Sequence, residues 1–365
     1  MYPKTLRTAY TQGFNLALQQ QLADNSTVTV AYVGALGVHI TSPATANQIP
    51  NLLPPGASVQ NALPFNQFAA GVFEDNEGSS NFNSLQVTGE HRSKGGLYFM
   101  ANYTWSKSLD DTVQALGGTT ASNYRNWRQL GYGFDYGPTA TDTRHRFVLN
   151  TQYQLPVGNG RKYLNQSRVL DALAGGFNLS LLFRVETGQP NLLSAGNNPT
   201  NGAGNADAVR IGVPFGTGGS NPDPSVICAT KTRTVKTWFN PCAYTNPPVA
   251  VAPPAAGGAL GPNQVSIADN GGIAAYGPAL RQVVYGPGYN RVDLSLSKTF
   301  LLWHETSLDF RADLYNALNT PTYGPPNTTV GSGFGQISST RFGGSGIAAE
   351  SPDARVAQFS AKLHF

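Results

Sequence analysis

Apolar and polar residues alternate along nine stretches of this chain, and the period of two predicts extended strands with unlike faces. The last stretch shows the pattern most plainly. Phe359, Ala361, Leu363 and Phe365 fall on one face, and Gln358, Ser360, Lys362 and His364 on the other. Phe14, Leu16 and Leu18 mark a first strand, Val28, Val30 and Tyr32 a second, and Leu85, Val87 and Gly89 a third. Leu97, Phe99, Ala101, Tyr103 and Trp105 give the fourth, and Phe147, Leu149, Thr151, Tyr153 and Leu155 the fifth. The sixth carries Phe177, Leu179, Leu181, Phe183 and Val185. The seventh carries Val292, Leu294 and Leu296, and the eighth Leu308, Phe310, Ala312 and Leu314. One short helix is predicted after the fifth strand, with Ser167 as its cap, 168–174 as its body and Gly175 as its stop.

The connections alternate in length. Turns near 23–26, 93–96, 156–176 and 301–305 are short, and the stretches 38–82, 109–142, 187–289 and 320–353 are long. Structureless loops of that length are uncommon in a compact soluble domain. A transmembrane β-barrel has them on its extracellular side, with short turns in the periplasm. Ionisable residues keep to the polar faces: Arg184 and Glu186 in the sixth strand, and Asp309, Arg311 and Asp313 in the eighth. One face against lipid and one against a wet lumen would produce this pattern. The competing reading is the solvated face of a soluble sandwich. A chain that ends on an aromatic in phase with its apolar face weighs against that, because tails are usually frayed and polar. Phe359, Leu363 and Phe365 are therefore read as the C-terminal signal for barrel assembly, with Phe365 in the interfacial girdle.

Composition fits the same picture. Charged residues are only 12% of the chain, about half the usual share. Mean hydropathy is nevertheless −0.24, so uncharged polar residues fill the gap. No apolar run is long enough for a transmembrane helix, which leaves barrel strands open as the spanning element. The net charge of +4 is small for 365 residues. It gives no reason to expect nucleic acid as a partner. No signal peptide precedes the first strand, so the expectation is either a cytoplasmic chain or a fragment.

Candidate chemistry is sparse. The five histidines are scattered, and no zinc-protease, nucleophile-elbow or P-loop spacing occurs. No catalytic residue, metal ligand or cofactor is assigned. Cys228 and Cys242 share the longest loop. On an outward loop they would form a disulfide, and closing a loop of that size stabilises by ~3 kcal/mol in the chain-entropy model. In a reducing compartment they would be free thiols.

Several segments resemble the barrel of Oar-like TonB-dependent receptors. They are Asn81-Phe82-Asn83-Ser84-Leu85-Gln86-Val87, then Ala101-Asn102-Tyr103-Thr104-Trp105-Ser106-Lys107-Ser108-Leu109-Asp110-Asp111, then Asp142-Thr143-Arg144-His145-Arg146-Phe147-Val148-Leu149-Asn150 with Leu155-Pro156-Val157-Gly158. Gly286-Pro287-Gly288-Tyr289-Asn290-Arg291-Val292-Asp293-Leu294 and Phe310-Arg311-Ala312-Asp313-Leu314-Tyr315-Asn316-Ala317-Leu318-Asn319 are similar to its last strands. The segments occur in the family's order. Such receptors have 22 strands around a plug. The resemblance implies that residues 1–365 are the C-terminal part of such a barrel, without plug, signal peptide or TonB box. The expected fold is all-β: an antiparallel meander of about nine strands within a larger transmembrane barrel with long extracellular loops.

The implied function is uptake of a bulky solute, such as a siderophore or oligosaccharide, across a bacterial outer membrane. The implied partners are outer-membrane lipid and the barrel-assembly machinery, with TonB reached only through the missing N-terminal region. A passive pore, a surface adhesin and a secreted carbohydrate-binding sandwich are the alternatives. Loop residues Tyr124, Trp127, Arg128, Tyr132 and Trp238 are candidates to touch a solute, or else to cap the barrel.

Overall fold

A computed structural model describes residues 7–45, 47, 57–68, 72–111, 136–158, 161–163, 171, 174–196, 207–251, 258–260, 264–266, 283–303, 306–341 and 354–365. Nine long strands form one antiparallel sheet. They are β1 (Tyr10–Ala23), β2 (Ser26–Thr45), β3 (Val72–Arg92), β4 (Leu97–Asp110), β5 (His145–Gln154), β6 (Asn178–Glu186), β7 (Tyr289–Trp303), β8 (Thr306–Tyr315) and β9 (Val356–His364). Their order in the sheet is their order in the sequence. This is the predicted meander, each hairpin pairing neighbours in the chain.

The register carries the apolar face across the wall without a break. Leu16 stands opposite Tyr32, Tyr32 opposite Leu85, Leu85 opposite Trp105, and Tyr103 opposite Phe147. Leu149 then meets Phe183, Leu181 meets Leu294, Leu294 meets Leu314, and Phe310 meets Ala361. Directly opposed residues share a face, so alternation in each strand builds one continuous apolar band. No second sheet covers it among the described residues, and Phe359 stays 71% exposed and Trp105 50%. The sandwich reading therefore fails, since a sandwich buries this face against a partner sheet. A tight turn closes the β3–β4 hairpin: Gly96 (φ +86°) takes the left-handed conformation a side chain would resist.

The buried core lies elsewhere. Leu193, Phe239, Tyr244, Val284, Val330 and Phe334 are its largest members, and all come from the connections after β6 and β8. This corrects the reading of 187–289 as the longest irregular stretch. It holds short strand pairs, among them Pro190–Leu192 with Val283–Tyr285 and Val209–Arg210 with Tyr244–Thr245. The boundaries of the other loops also shift. β2 runs on to Thr45 and β3 starts at Val72, inside the predicted 38–82 loop. Ser79, Ser80 and Asn81 show no apolar alternation, because beyond the lipid neither face is selected for oil. The ladder of backbone hydrogen bonds continues there regardless. A four-residue helix, α1 (Val59–Ala62), was not foreseen; Ser58 caps it. The cap Ser167 lies outside the described residues, and the Gly175 N–H bonds to the Asp171 carbonyl oxygen at 2.8 Å.

β1 and β9 lie at the two ends of the sheet and do not pair with each other. Every residue of β1 is exposed, and nearly every residue of β9.

Candidate functional site

The polar face is richest in charge where β5, β6 and β7 reach the long loops. Glu186 is the last residue of β6, and alternation puts it on the same face as Arg184. Its carboxylate is 6% exposed. It accepts hydrogen bonds from Arg184 Nη2 at 3.0 Å and Arg341 Nη1 at 3.1 Å. Arg146, directly across on β5, brings its Nε to 3.8 Å. Across on β7 stands Tyr289, nearly buried between two guanidinium groups. Those of Arg184 and Arg341 sit 5.0 and 5.4 Å from its ring centre.

A second pair extends the cluster along β7. Arg291 faces Arg184 across the strands and would be repelled by it without a counter-charge. Asp293 supplies one, taking Arg291 Nε at 2.8 and 3.0 Å on its two oxygens. Asp293 also accepts the Asn316 N–H at 2.8 Å, which fixes the turn after β8. Asn316 takes a left-handed conformation (φ 49°) there, one that asparagine tolerates better than most residues. The Arg291 side chain is only 7% exposed, yet its Nη1 has no hydrogen-bond partner, and nor does the buried Nε of Arg184. Four arginines face two carboxylates in this cluster, so positive charge is in surplus. Such an arrangement can hold an anionic group that supplies acceptors to the orphaned donors.

Nearer the short turns the face is looser. Arg311 pairs with Asp313 at 2.8 Å in the upper half of β8, and at its short-turn end Thr299 Oγ1 and His364 Nε2 bond to Asp309 at 2.6 and 2.8 Å. A basin of about 850 Å³ opens there, lined in part by Arg92, Lys94, Tyr98, Gln152 and Arg161. One face of the sheet is thus oily across all nine strands, and the other carries the ion pairs.

That two-faced wall is what a membrane-spanning barrel requires, and a family model described as an outer membrane beta barrel domain matches residues 1–358. The chain belongs to that family. Its place is the bacterial outer membrane, with the apolar face toward lipid. Among solved structures it is similar to the outer membrane transporter YddB from Escherichia coli, at 11% identity and a TM-score of 0.45, over 98% of this chain and 32% of that one. It is also similar to BauA, the ferric preacinetobactin receptor from Acinetobacter baumannii, at 9% identity and a TM-score of 0.35, over 97% of this chain and 29% of that one. The chain thus spans about a third of the length of either. No curated protein sequence matches it.

The loops of this outer membrane barrel form a packed unit above the charge cluster. Cys228 and Cys242 are joined by a disulfide. Asn240 holds the same two segments together, its Oδ1 accepting the N–H groups of Ala229 and Cys242. Trp238 rests on the buried cluster, and its Nε1 donates to the Tyr285 carbonyl oxygen at 2.8 Å. The Tyr285 hydroxyl in turn donates to Asp142 at 3.2 Å, at the head of β5. Trp238 thus joins loop to wall through Tyr285. Burial pushes the Tyr285 hydroxyl above its usual range, against the pull of the Arg144 guanidinium. Burial pushes Tyr244 up to about 12, with Arg210 opposing. Tyr124, Trp127, Arg128 and Tyr132 lie outside the described residues. Phe365 projects free at 97% exposure, beyond the end of β9.

Sequence reasoning missed Arg341, Arg291 and Tyr289 as members of the cluster. The register of β6 against β7 would have revealed the last two. Arg341 had no local signal, since it reaches Glu186 from 155 positions away.

Proposed function

We propose that these nine strands are the C-terminal sector of the wall of a TonB-dependent transporter, and that a bulky solute passes along the polar face. The observation that carries the reading is the pair of exposed sheet edges, β1 and β9. Open edges do not persist in hydrocarbon, where each unsatisfied backbone group costs several kcal/mol. The wall therefore needs further strands on both sides, and barrel width grows with strand number. A wide barrel suits a bulky cargo and a plugged lumen. The ordered motifs shared with Oar-like receptors support this reading, and TonB would engage through a region outside residues 1–365. Surplus arginine charge beside Glu186 favours a solute with carboxylate, catecholate or phosphate groups.

Residues 1–365, exported alone, should be degraded or aggregate through their edges. A heat-modifiable, protease-resistant species with steady conductance in planar bilayers would refute the sector reading and favour a passive pore. With the complete outer-membrane protein, solute uptake should stop when TonB is removed. Uptake that continues unchanged would exclude energised transport.

A further inference from the structure

The basin at the short-turn end of the polar face has a chemistry of its own, separate from the Glu186 cluster. It holds about 850 Å³, within the range of small-ligand sites. Register and alternation place its lining on the polar side. Arg92 stands opposite Tyr98, and Tyr98 opposite Gln152. Gln152 meets Ser180. One step nearer the turns, Gln154 meets Asn178 and Asn178 meets Ser297. The Arg161 guanidinium reaches the same face, because its Nη2 donates to Gln154 Oε1 at 3.1 Å. Lys94 joins them from the turn between β3 and β4.

Arg92, Lys94 and Arg161 thus border the basin, and no carboxylate lines it among the described residues. None of these cations makes an ion pair among the described residues. Arg92 lies over the Tyr98 ring at 5.3 Å, which steadies the guanidinium without neutralising it. Glu90, one step further from the turns on the same face of β3, is engaged with the Tyr98 hydroxyl. The floor between the cations is uncharged: Gln152, Gln154, Asn178, Ser180 and Ser297. Amides and hydroxyls both donate and accept, so a ligand that satisfies them brings donors as well as anionic oxygens. A bare phosphate has too few donors, whereas the hydroxyls of a sugar ring do both. An acidic peptide also has N–H donors, but extended peptides that dock on sheets pair with a free strand edge. β3 to β7 are interior strands, paired on both sides, so their backbone offers no such edge.

We propose that this basin binds a hydroxylated polyanion of the sugar-acid class, its carboxylates on Arg92, Lys94 and Arg161 and its hydroxyls on the amide floor. Carboxylates accept the charge-assisted bonds that guanidinium and ammonium groups give best. Such barrels set their short turns in the periplasm. The basin is then the exit station for the solute, an assignment that rests on the transporter reading of the wall. Arg146 in the outer cluster and Gln154 at the basin lie eight residues apart on β5, about 27 Å along the strand. Between them on the same face of β5 stand Val148, Asn150 and Gln152, none of them charged. An anion leaving the outer arginines therefore meets no competing cation on this strand before the basin.

The test uses the complete protein purified from outer membranes in mild detergent, with trigalacturonate as the probe. Lysine acetylation, read by peptide mass spectrometry, reports on the basin through Lys94. Trigalacturonate should shield Lys94 and leave Lys107, exposed near the long loops, as reactive as before. Arg92→Gln combined with Arg161→Gln should raise the concentration for half-shielding about tenfold or more, since each arginine gives a charge-assisted bond. Lys231→Gln, a loss of charge in the loops, should leave it unchanged. Maltotriose, similar in size but uncharged, should not shield Lys94; if it does so at equal concentration, the anionic assignment is overturned. Equal shielding by triglutamate would overturn the sugar assignment, and equal shielding by inorganic phosphate would overturn the part given to the hydroxyls. No shielding by trigalacturonate would overturn the whole proposal and leave TonB-dependent uptake as a separate result. Uptake that survives removal of TonB would refute the transporter reading and leave the binding result in place. Heat-modifiable migration of each variant confirms that its wall has assembled.

Discussion

Phe239 is the place where the loop unit is most exposed to a single change. Its side chain is 0% exposed, and its ring meets those of Phe334 and Tyr244 edge-to-face at 4.9 and 5.8 Å. Phe334 belongs to the connection after β8, so this contact ties two loops together. Phe239→Ala removes the ring and leaves a cavity, which costs about 3–5 kcal/mol in a well-packed core. Every ~1.4 kcal/mol is a factor of ten, so the open form of the loop unit should rise about a hundredfold to a thousandfold or more. The wall should not respond, because none of its nine strands contributes Phe239, Phe334 or their main neighbours in the cluster. Limited trypsinolysis reads this directly, since Lys231, Arg233 and Lys236 are exposed sites within the unit. Cleavage there should accelerate by two to three orders of magnitude where it tracks the open population. Because Cys228 and Cys242 flank those sites, the cut halves should separate only on a reducing gel. Heat-modifiable migration of the barrel should be unchanged. Unaltered cleavage would refute the packing argument. Loss of heat-modifiability in step with cleavage would show that loops and wall unfold as one body.

Three other outcomes follow from single groups. Glu186→Gln keeps the shape but removes the charge that three arginines share, and should cost about 1–3 kcal/mol in urea denaturation; Arg341→Gln, on a part-exposed partner, should cost less. Deleting Phe365 should lower the amount assembled in the membrane without shifting the denaturation midpoint of assembled molecules, because the side chain is almost wholly exposed. A shifted midpoint would contradict a role confined to assembly. Tyr244 binds its proton more tightly folded than unfolded, so its stabilising share is complete below pH ~10 and is lost as pH rises toward 12. Phenolate absorbance followed alongside tryptic cleavage should show loop opening in that window.

The strand order and the two faces were legible from the sequence because both follow from local backbone geometry. A side chain two residues on points the same way, so Leu97, Phe99 and Tyr103 had to share a face whatever lay beside them. Short turns then forced neighbours in the chain to pair. The strand ends were not legible, since outside lipid the ladder continues through Ser79 and Asn81 without an apolar requirement. The loop core and the Glu186 cluster were decided by tertiary structure alone. Phe239 and Phe334 recur with no period, and Arg341 meets Glu186 only because the connection after β8 folds back over the end of β6. Contacts between distant loops leave no periodic trace in either segment, so only the folded chain could bring them together.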